Sequence, residues 1–265
     1  MQIANRPKAK QKSPLILVSN DDGIHAEGLV ILCKHLAKVG QIIVVAPEVE
    51  CSAVGHAITV SMPLKVNRIQ FPMGIEAYSV NGTPADCVKI ALSRILKRKP
   101  SLVVSGINLG SNLGIDALYS GTVSAATEAV VFGVRAFAVS LATFTNPDFS
   151  VAAKFAVKLA RAIISRPLRT NAVLNVNVPG LPHDRIKGVK IVPQSLVCYK
   201  EKYEKRTNPR DETYYWLTGE IKQEKRKGET DLTAVRNGYI AITPLTTDLT
   251  HIEGLEELKK WDFEY

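Results

Sequence analysis

The sequence lacks several features that would place it in a specialised class. No apolar run approaches the roughly 20 residues needed to cross a bilayer, and no C-x-x-C pair occurs among Cys33, Cys51, Cys87 and Cys198. A membrane span, a zinc site and a disulfide framework are therefore all disfavoured. The basic start of the chain, residues 1–13, has no apolar stretch of the kind found in signal peptides. These absences predict a cytoplasmic globular protein that begins with a basic disordered tail.

The common phosphate-binding and nucleophile motifs are missing as well. The chain has no G-x-x-x-x-G-K-[ST] loop and no G-x-S-x-G elbow. The glycine-rich stretch at 106–114, GINLGSNLG, does not fit G-x-G-x-x-G and comes too late for a dinucleotide fingerprint. No carboxylate stands two residues after Asp21, as an aspartyl-phosphatase D-x-D would require. Any phosphate chemistry must therefore use a different arrangement.

The chain carries a net positive charge, but part of it is interleaved with acidic residues. The formal net charge is +9, and much of the excess lies in the first residues and between Lys200 and Lys227. In the second stretch, acidic residues such as Glu204 and Asp211 are interleaved with the basic ones. This pattern favours a solvated surface over a nucleic-acid patch, so nucleic acid is disfavoured as a partner.

The first part of the chain alternates between short apolar runs and amphipathic stretches. Continuous apolar runs of this kind predict strands that are buried on both faces. Together with helices between them, they predict an α/β fold with a mostly parallel sheet and helices on both faces. The predicted strands lie at 14–19, 41–46, 102–105 and 136–141, and the predicted helices lie at 26–39, from Thr83 onwards, and at 122–132.

The second part of the chain is less regular. A helix is predicted at 151–164, and strands are possible at 171–178, 185–192 and 239–243. The polar segment 200–238 is too long for a structureless loop in a compact domain, so it predicts a protruding β-hairpin or arm. Its tyrosines and tryptophan indicate that it packs on something, such as another subunit.

Two adjacent carboxylates follow the first predicted strand. Asp21 and Asp22 come directly before Gly23, which permits a sharp turn that could bring both side chains to one site. Two close anions both stay ionised when a cation lies between them, and oxygen ligands of this kind suit Mg²⁺ or Mn²⁺. The alternative is structural: Asp22 would cap the following helix and Asp21 would form a turn.

Other strand ends offer further polar groups. Ser52 lies in a loop of small residues after the second predicted strand. The glycine-rich loop, residues 106–114, follows the third, and its glycines, including Gly110, let the backbone approach a ligand. Asn108 in this loop supplies a neutral oxygen. Since ligands bind beyond the carboxyl ends of the strands in such sheets, these loops are expected to meet the carboxylates.

A third group of residues suits an anion. Ser120, Gly121 and Thr122 precede a predicted helix, where free N–H groups, hydroxyl donors and the helix dipole favour a phosphate. Asn20 could add an amide donor. Asn81 is either a substrate contact or part of an ordinary Asn-Gly turn. Together with the carboxylates, these residues predict a metal-assisted phosphate site.

Four stretches of the sequence closely resemble the SurE family, the survival-protein-E 5′/3′-nucleotidases. They span most of the chain in the expected order and lie at 16–29 (ILVSNDDGIHAEGL), 80–88 (VNGTPADCV), 102–129 (LVVSGINLGSNLGIDALYSGTVSAATEA) and 238–250 (GYIAITPLTTDLT). The third stretch is the most distinctive. The resemblance implies one divalent metal ion, Mg²⁺ or Mn²⁺, held by Asp21, Asp22, Ser52 and Asn108.

The same resemblance implies an activity. It is the hydrolysis of nucleoside 5′-monophosphates, and of 3′-monophosphates, to nucleoside and phosphate, with polyphosphate cleavage as a possible side activity. The catalytic residues are then Asp21, Asp22 and Asn108. A non-catalytic nucleotide-binding regulatory protein is the alternative, although binding alone does not need a water-activating metal.

The resemblance also implies a domain organisation and an assembly. A Rossmann-like catalytic core would cover residues 14–180. A C-terminal extension, residues 181–265, would carry a protruding hairpin used in oligomerisation and a final segment packed on the core. The expected assembly is a homodimer or homotetramer.

Overall fold

The structure is a computed structural model that describes residues 13–166, 172–197, 199–221 and 226–263. The disordered tail expected at 1–13 lies outside the described residues, apart from Ser13. Across the described ranges, no helix combines the length and the apolar character that crossing a membrane requires.

The described strands form one large sheet and one separate hairpin. In the large sheet the strand order is β3-β4-β2-β1-β5-β6-β7-β11-β8, and in the hairpin β9 pairs with β10. The strands are β1 (Leu15–Ser19), β2 (Gln41–Pro47), β3 (Val66–Ile69), β4 (Glu76–Val80), β5 (Leu102–Leu109), β6 (Ala136–Ala142), β7 (Val173–Pro179), β8 (Val189–Ile191), β9 (Tyr199–Thr207), β10 (Thr213–Ile221) and β11 (Ile240–Leu245).

The middle of the large sheet is parallel. The six neighbouring strands from β4 to β7 run in one direction, while β3 is antiparallel to β4 and β11 is antiparallel to β7. The chain leaves β1 towards β2 and later returns to place β5 on the other side of β1. The strand order therefore reverses between β1 and β5, where a crevice for a ligand is expected at the carboxyl ends of the strands.

Helices cover both faces of this sheet, as the sequence predicted. The α1 and α4 helices pack against each other on one face, and α2 and α3 pack against each other on the opposite face. The helices are α1 (Glu27–Leu36), α2 (Pro84–Ile90), α3 (Gly121–Val131), α4 (Ser150–Ser165), α5 (Asp231–Arg236) and α6 (Ile252–Leu258). The α/β fold with a mostly parallel sheet is confirmed.

One crossover departs from the usual handedness. The connection from β5 to β6 through α3 and the connection from β6 to β7 through α4 run the same way along the sheet. Their helices nevertheless pack on opposite faces, so the two crossovers have opposite hands. Because nearly all parallel crossovers are right-handed, the apolar pattern alone gives no reason to expect this reversal.

The predicted hairpin is present. Its nine residue pairs run from Tyr199 opposite Ile221 to Thr207 opposite Thr213. We call β9 and β10 together the hairpin arm. Tyr203, Tyr215 and Trp216 on this arm are all more than half exposed. After the arm the chain returns to the large sheet, where β11 pairs with both β7 and β8.

Candidate active site

Asp21 lies at the end of β1, against the start of α3. Its side chain is buried, and its Oδ1 accepts a hydrogen bond from the Thr122 hydroxyl. Gly121 is so close that a Cβ added there would lie 2.7 Å from the Cβ of Asp21. The helix can approach Asp21 this closely because Gly121 has no side chain, and the free N–H groups at the start of a helix favour a negative charge there.

Asp22 faces the glycine-rich loop. Its Oδ2 accepts a 3.4 Å hydrogen bond from the Leu109 N–H, which belongs to the end of β5. The alternative role, a cap on the following helix, is wrong because Ala26 is the N-cap residue of α1 and no side chain caps that end. The two carboxylates therefore contact two different elements, α3 and β5, on either side of the crevice.

The electrostatics of the pair favour a cation. Burial raises the pKa of Asp21 above its ordinary value. Burial, and then the negative charge of Asp21, raise the pKa of Asp22 to about 7. The nearby carboxylate of Glu50 is a smaller contributor to both raised pKa values. A bound cation would stabilise the ionised form of both groups, since opposite charge lowers the pKa of a carboxyl group.

Asn108 is oriented by its own loop. Its side-chain nitrogen donates a 2.8 Å hydrogen bond to the Gly110 carbonyl, which leaves the amide oxygen on the other side of the group. The pairing of β5 with β6 shifts by one residue between Gly106 and Asn108. This irregularity places Asn108 and Leu109 at the strand end beside Asp22. Gly110 itself has a φ of +105°, a conformation that favours glycine.

The loop after β2 also reaches the carboxylates. The Cys51 N–H donates a 2.8 Å hydrogen bond to the backbone carbonyl of Asp21. Ser52 follows at once, but its hydroxyl donates to the carboxylate of Glu50 and its side chain is exposed. The structure therefore brings Ser52 to the edge of the site while its hydroxyl is held by a neighbouring acid.

The Ser-Gly-Thr turn forms the N-terminus of α3. Ser120 is the N-cap residue, and its Oγ accepts a 3.1 Å hydrogen bond from the Val123 N–H. The Thr122 hydroxyl is engaged with Asp21. Both side chains are buried. The backbone N–H groups of this first turn remain the groups that suit a phosphate there.

The two remaining predicted residues have different surroundings. The Asn20 amide nitrogen donates to the Gly23 carbonyl at 2.9 Å, and within the described part of the chain its buried Oδ1 has no hydrogen-bond partner. Asn81 is exposed and follows β4, two strands away from β1. Its Oδ1 accepts a 2.6 Å hydrogen bond from the Lys65 N–H, as expected for a residue that shapes a turn.

This set of donors fits a hard divalent cation. Two carboxylates with raised pKa values, an amide oxygen at Asn108 and an orphaned buried oxygen at Asn20 lie around the ends of β1 and β5. Oxygen-only donors of this kind suit Mg²⁺ or Mn²⁺ better than softer metals. Over the described residues, no three His, Cys, Asp or Glu side chains form a cluster that could hold a metal. A site here therefore needs amide or hydroxyl ligands as well.

Sequence reasoning missed a buried acid that anchors the glycine-rich loop. Asp231, at the start of α5, is fully buried and accepts hydrogen bonds from the N–H groups of Gly114 and Ser195 at 2.9 and 2.8 Å. The Gln194 side chain donates to the Gly114 carbonyl at 2.6 Å. Asp231 and Gln194, both from the C-terminal part of the chain, thus bind the backbone N–H and the backbone carbonyl of Gly114. Asp231 stands 117 positions from Gly114, so local patterns give no sign of this contact.

A second buried network supports the same loop. The Asn112 backbone N–H donates to the side chain of Asn177, and the Asn112 carbonyl accepts from Asn175 and Asn177. The Asn112 side chain donates to the Ser140 hydroxyl at 2.8 Å. Asn112 therefore folds the loop onto β6 and β7. The alternation of Asn175 and Asn177 along β7 is the sequence signal that could have indicated this network.

An ion-paired glutamate ties the loop after β2 to α3. The Glu128 carboxylate is buried and lies 2.9 Å from His56 Nε2 and 3.0 Å from Lys89 Nζ. The hydrogen bond from His56, together with the bond and charge of Lys89, lowers the pKa of Glu128 below its ordinary value of 4.5. The ionised form of Glu128 is thus favoured in the folded state.

We expect the substitution Glu128→Gln to lower the free energy of unfolding by about 1–2 kcal/mol at pH 7, because a buried charged acceptor is lost. A lowered folded pKa contributes stability above the unfolded pKa, and this contribution is lost as the pH falls through the folded value. The difference between wild type and E128Q should therefore shrink below pH 4.5. Denaturant unfolding at pH 7 and at pH 3.5 measures it.

Glu256→Gln provides the control for this prediction. Glu256 pairs with Lys259 on α6, where both side chains are 59% exposed. Exposed pairs contribute little, so this substitution should leave the stability nearly unchanged at both pH values. A difference between wild type and E128Q that stayed constant from pH 7 to pH 3.5 would contradict the role of the Glu128 charge.

Comparison with known families gives one consistent result. The family model described as "Survival protein SurE" matches residues 16–201. A protein named 5′-nucleotidase SurE from Alkaliphilus metalliredigens is 47% identical over 94% of this chain and 99% of its own length. A protein of the same name from Moorella thermoacetica is 49% identical over 92% of this chain and 94% of its own length.

A solved structure agrees with the sequence matches. The crystal structure of the Sure protein from Aquifex aeolicus superposes with a TM-score of 0.82. The two chains are 38% identical, and the match covers 93% of this chain and 98% of the other. The likeness thus extends over the sheet, the strand-end loops and the C-terminal part together.

Proposed function

The chain belongs to the SurE family, and on this premise we propose that it is a 5′-nucleotidase. It acts as a divalent-metal-dependent phosphatase that hydrolyses nucleoside 5′-monophosphates to nucleoside and phosphate. The observation that carries this proposal is the Asp21–Asp22 pair, one carboxylate buried and the other half-buried, at the reversal of the strand order, with raised pKa values and the N-terminus of α3 beside it.

We assign the metal to four residues of this site. Asp21 and Asp22 supply charged oxygens, Asn108 supplies its amide oxygen, and Ser52 supplies its hydroxyl once this group turns from Glu50. One Mg²⁺ or Mn²⁺ ion per subunit would balance the two negative charges of Asp21 and Asp22. When bound, such an ion polarises the phosphoryl oxygens and lowers the pKa of a coordinated water.

The residues around the carboxylates position the substrate. The first turn of α3, with Ser120, Gly121 and Thr122, directs backbone N–H groups towards a phosphate, and the helix dipole favours its negative charge. Gly110 adopts the positive φ of this turn and accepts the hydrogen bond that orients Asn108. Asn20 holds the turn after β1 through Gly23. We assign Asn81 a substrate contact at the rim of the site only, because its side-chain oxygen already accepts a hydrogen bond from the Lys65 N–H.

The same site defines the wider activity. We propose that 3′-monophosphates and, as a side activity, polyphosphate are cleaved there, because the groups described contact phosphate rather than the rest of a substrate. A regulatory protein that only binds nucleotides is less well supported, since the similar proteins from Alkaliphilus metalliredigens and Moorella thermoacetica are named as nucleotidases.

We also propose a homodimer or homotetramer in the cytoplasm. Apolar surface for a second copy is exposed at two places. One is the hairpin arm, with Tyr203, Tyr215 and Trp216. The other is α6 and the residues that follow it, with Leu255 and Trp261. The division into a core at 14–180 and an extension at 181–265 remains part of this proposal. The free thiols of Cys33, Cys51 and Cys87 suit a reducing compartment.

Phosphate release from AMP in the presence of Mn²⁺ or Mg²⁺ tests the proposed function. We expect turnover that a chelator abolishes and that added metal restores. Because a ligand that binds only the folded state stabilises it, Mn²⁺ should also raise the melting temperature. Turnover that persists in excess chelator would refute the metal dependence, and binding of AMP without any phosphate release would favour the regulatory alternative.

A further inference from the structure

Phe144 is an exposed aromatic side chain at the rim of the site. It follows β6, and 77% of its surface is accessible, whereas Phe71, Phe137 and Phe149 are buried. Unlike the exposed rings of the hairpin arm, Phe144 lies beside the glycine-rich loop of the candidate site. A large apolar side chain left in water at a ligand crevice often marks a recognition surface.

The ring lies directly over the glycine-rich loop. A Cβ added to Gly110 would lie 2.5 Å from Cε1 and 2.6 Å from Cζ of Phe144, so only glycine leaves room for the ring. Gly110 accepts the hydrogen bond from Asn108, and the residue before it, Leu109, donates to Asp22. Phe144 therefore covers Gly110, the residue that follows the Leu109 N–H in contact with Asp22.

The segment that carries Phe144 is held in place. The Thr143 N–H donates to the Leu141 carbonyl, and the Thr143 hydroxyl bonds to both the carbonyl and the N–H of Thr145. These local hydrogen bonds restrain the backbone on either side of Phe144, which reduces the conformational entropy lost when a flat group packs on the ring.

We infer that Phe144 forms the platform on which the nucleobase of the substrate stacks. This inference rests on the proposed function, because it takes the phosphate to lie at Asp21, Asp22 and α3. A nucleoside monophosphate whose phosphate lies there extends its base along the glycine-rich loop to the ring. Aromatic side chains stack with any base, since every base has a π-face, so the platform distinguishes nucleotides from other phosphomonoesters without selecting one base.

The test compares two substrates that differ only in the base. Initial rates are measured with AMP and with ribose 5-phosphate for the full-length protein with Mn²⁺. From the usual strength of base stacking, we expect Phe144→Ala to raise the KM for AMP about tenfold and to leave kcat within about twofold. The kinetics with ribose 5-phosphate should not change. Phe144→Leu, which keeps an apolar cover over Gly110, should behave as Phe144→Ala does, and Phe144→Trp should retain the wild-type KM.

Val131→Ala is the matched control, because Val131 is exposed at the far end of α3 and should affect neither substrate. An unchanged KM for AMP in Phe144→Ala would overturn the inference, as would an equal loss with both substrates, which would indicate that the ring only supports the loop. A change in oligomeric state of Phe144→Ala in sedimentation would overturn it in favour of an interface.

Calorimetric titration separates this inference from the proposed function. The wild type should bind AMP more tightly than ribose 5-phosphate, and Phe144→Ala should lose this difference. If the wild type binds AMP with this preference but releases no phosphate, the proposed function fails and the base platform stands. If it binds both compounds equally, the platform fails whether or not phosphate is released.

Discussion

Replacing Asp22 by asparagine is expected to lower phosphate release from AMP by about 10³-fold, because the proposed charged metal ligand is lost at a site where a bound ion would contribute several kcal/mol to transition-state stabilisation. The fold should survive, since the substitution removes one of two neighbouring like charges that repel each other. Initial rates with Mn²⁺ measure the effect on activity. Melting curves with and without Mn²⁺ show whether the metal still stabilises the protein.

Asp184→Asn is the matched control for this substitution. Asp184 is an exposed acid in the short turn after β7, and its loss should leave both turnover and the Mn²⁺-dependent rise in melting temperature unchanged. D22N should retain the fold of the wild type but lose that rise. Wild-type turnover in a folded D22N protein would remove Asp22 from the site.

Replacing Gly121 by alanine is expected to reduce kcat/KM for AMP by about 100-fold, the loss typical of a misplacement of about 1 Å at a catalytic site. The new Cβ would lie 2.7 Å from the Cβ of Asp21 and 3.0 Å from Pro84 Cγ. These groups are close to the backbone and cannot rotate away, so α3 or Asp21 must shift. The Thr122–Asp21 hydrogen bond would shift with them. Rates and melting temperature should be measured together.

Gly254→Ala separates this steric effect from the general effect of alanine in a helix, which by itself favours the folded state by up to about 1 kcal/mol. In α6 the new Cβ would first meet Nδ1 of His251, the ring of a side chain that can turn aside. This variant should keep full activity. If G121A were as active as the wild type, the close approach of α3 would have no role in positioning Asp21.

Burial on both faces explains which strands were predictable. The runs in β1, β2 and β6 are continuously apolar and almost fully buried, so the sequence alone indicates them. β3 and β4 were missed for a physical reason. β3 has the sequence VNRI and is mostly exposed, since it forms the edge of the sheet. An edge strand needs neither an apolar run nor strict alternation, and it is specified by its pairing with β4.

The candidate site was also predictable in part, in the meeting of its loops but not in the orientation of its side chains. The rule that ligands bind at strand ends predicted that the loops after β1, β2 and β5 would meet, and the contacts of Asp22 with Leu109 and of Asp21 with Cys51 agree with it. The orientation of individual side chains was not predictable. Thr122 binds Asp21 across 101 positions of the chain, and Ser52 turns to Glu50 rather than to the carboxylate pair. Such choices depend on distances that only the folded chain defines.

The hydrogen bond between Gly114 and Asp231 has a consequence for the synthesis of the protein. The loop that carries Asn108 gains one of its buried anchors only when a residue from the last fifth of the sequence closes on it. On the ribosome, a growing chain that already contains Asp21, Asp22 and the glycine-rich loop still lacks Asp231. We therefore expect a chain released before Asp231 is made to hold this loop less firmly than the full chain does.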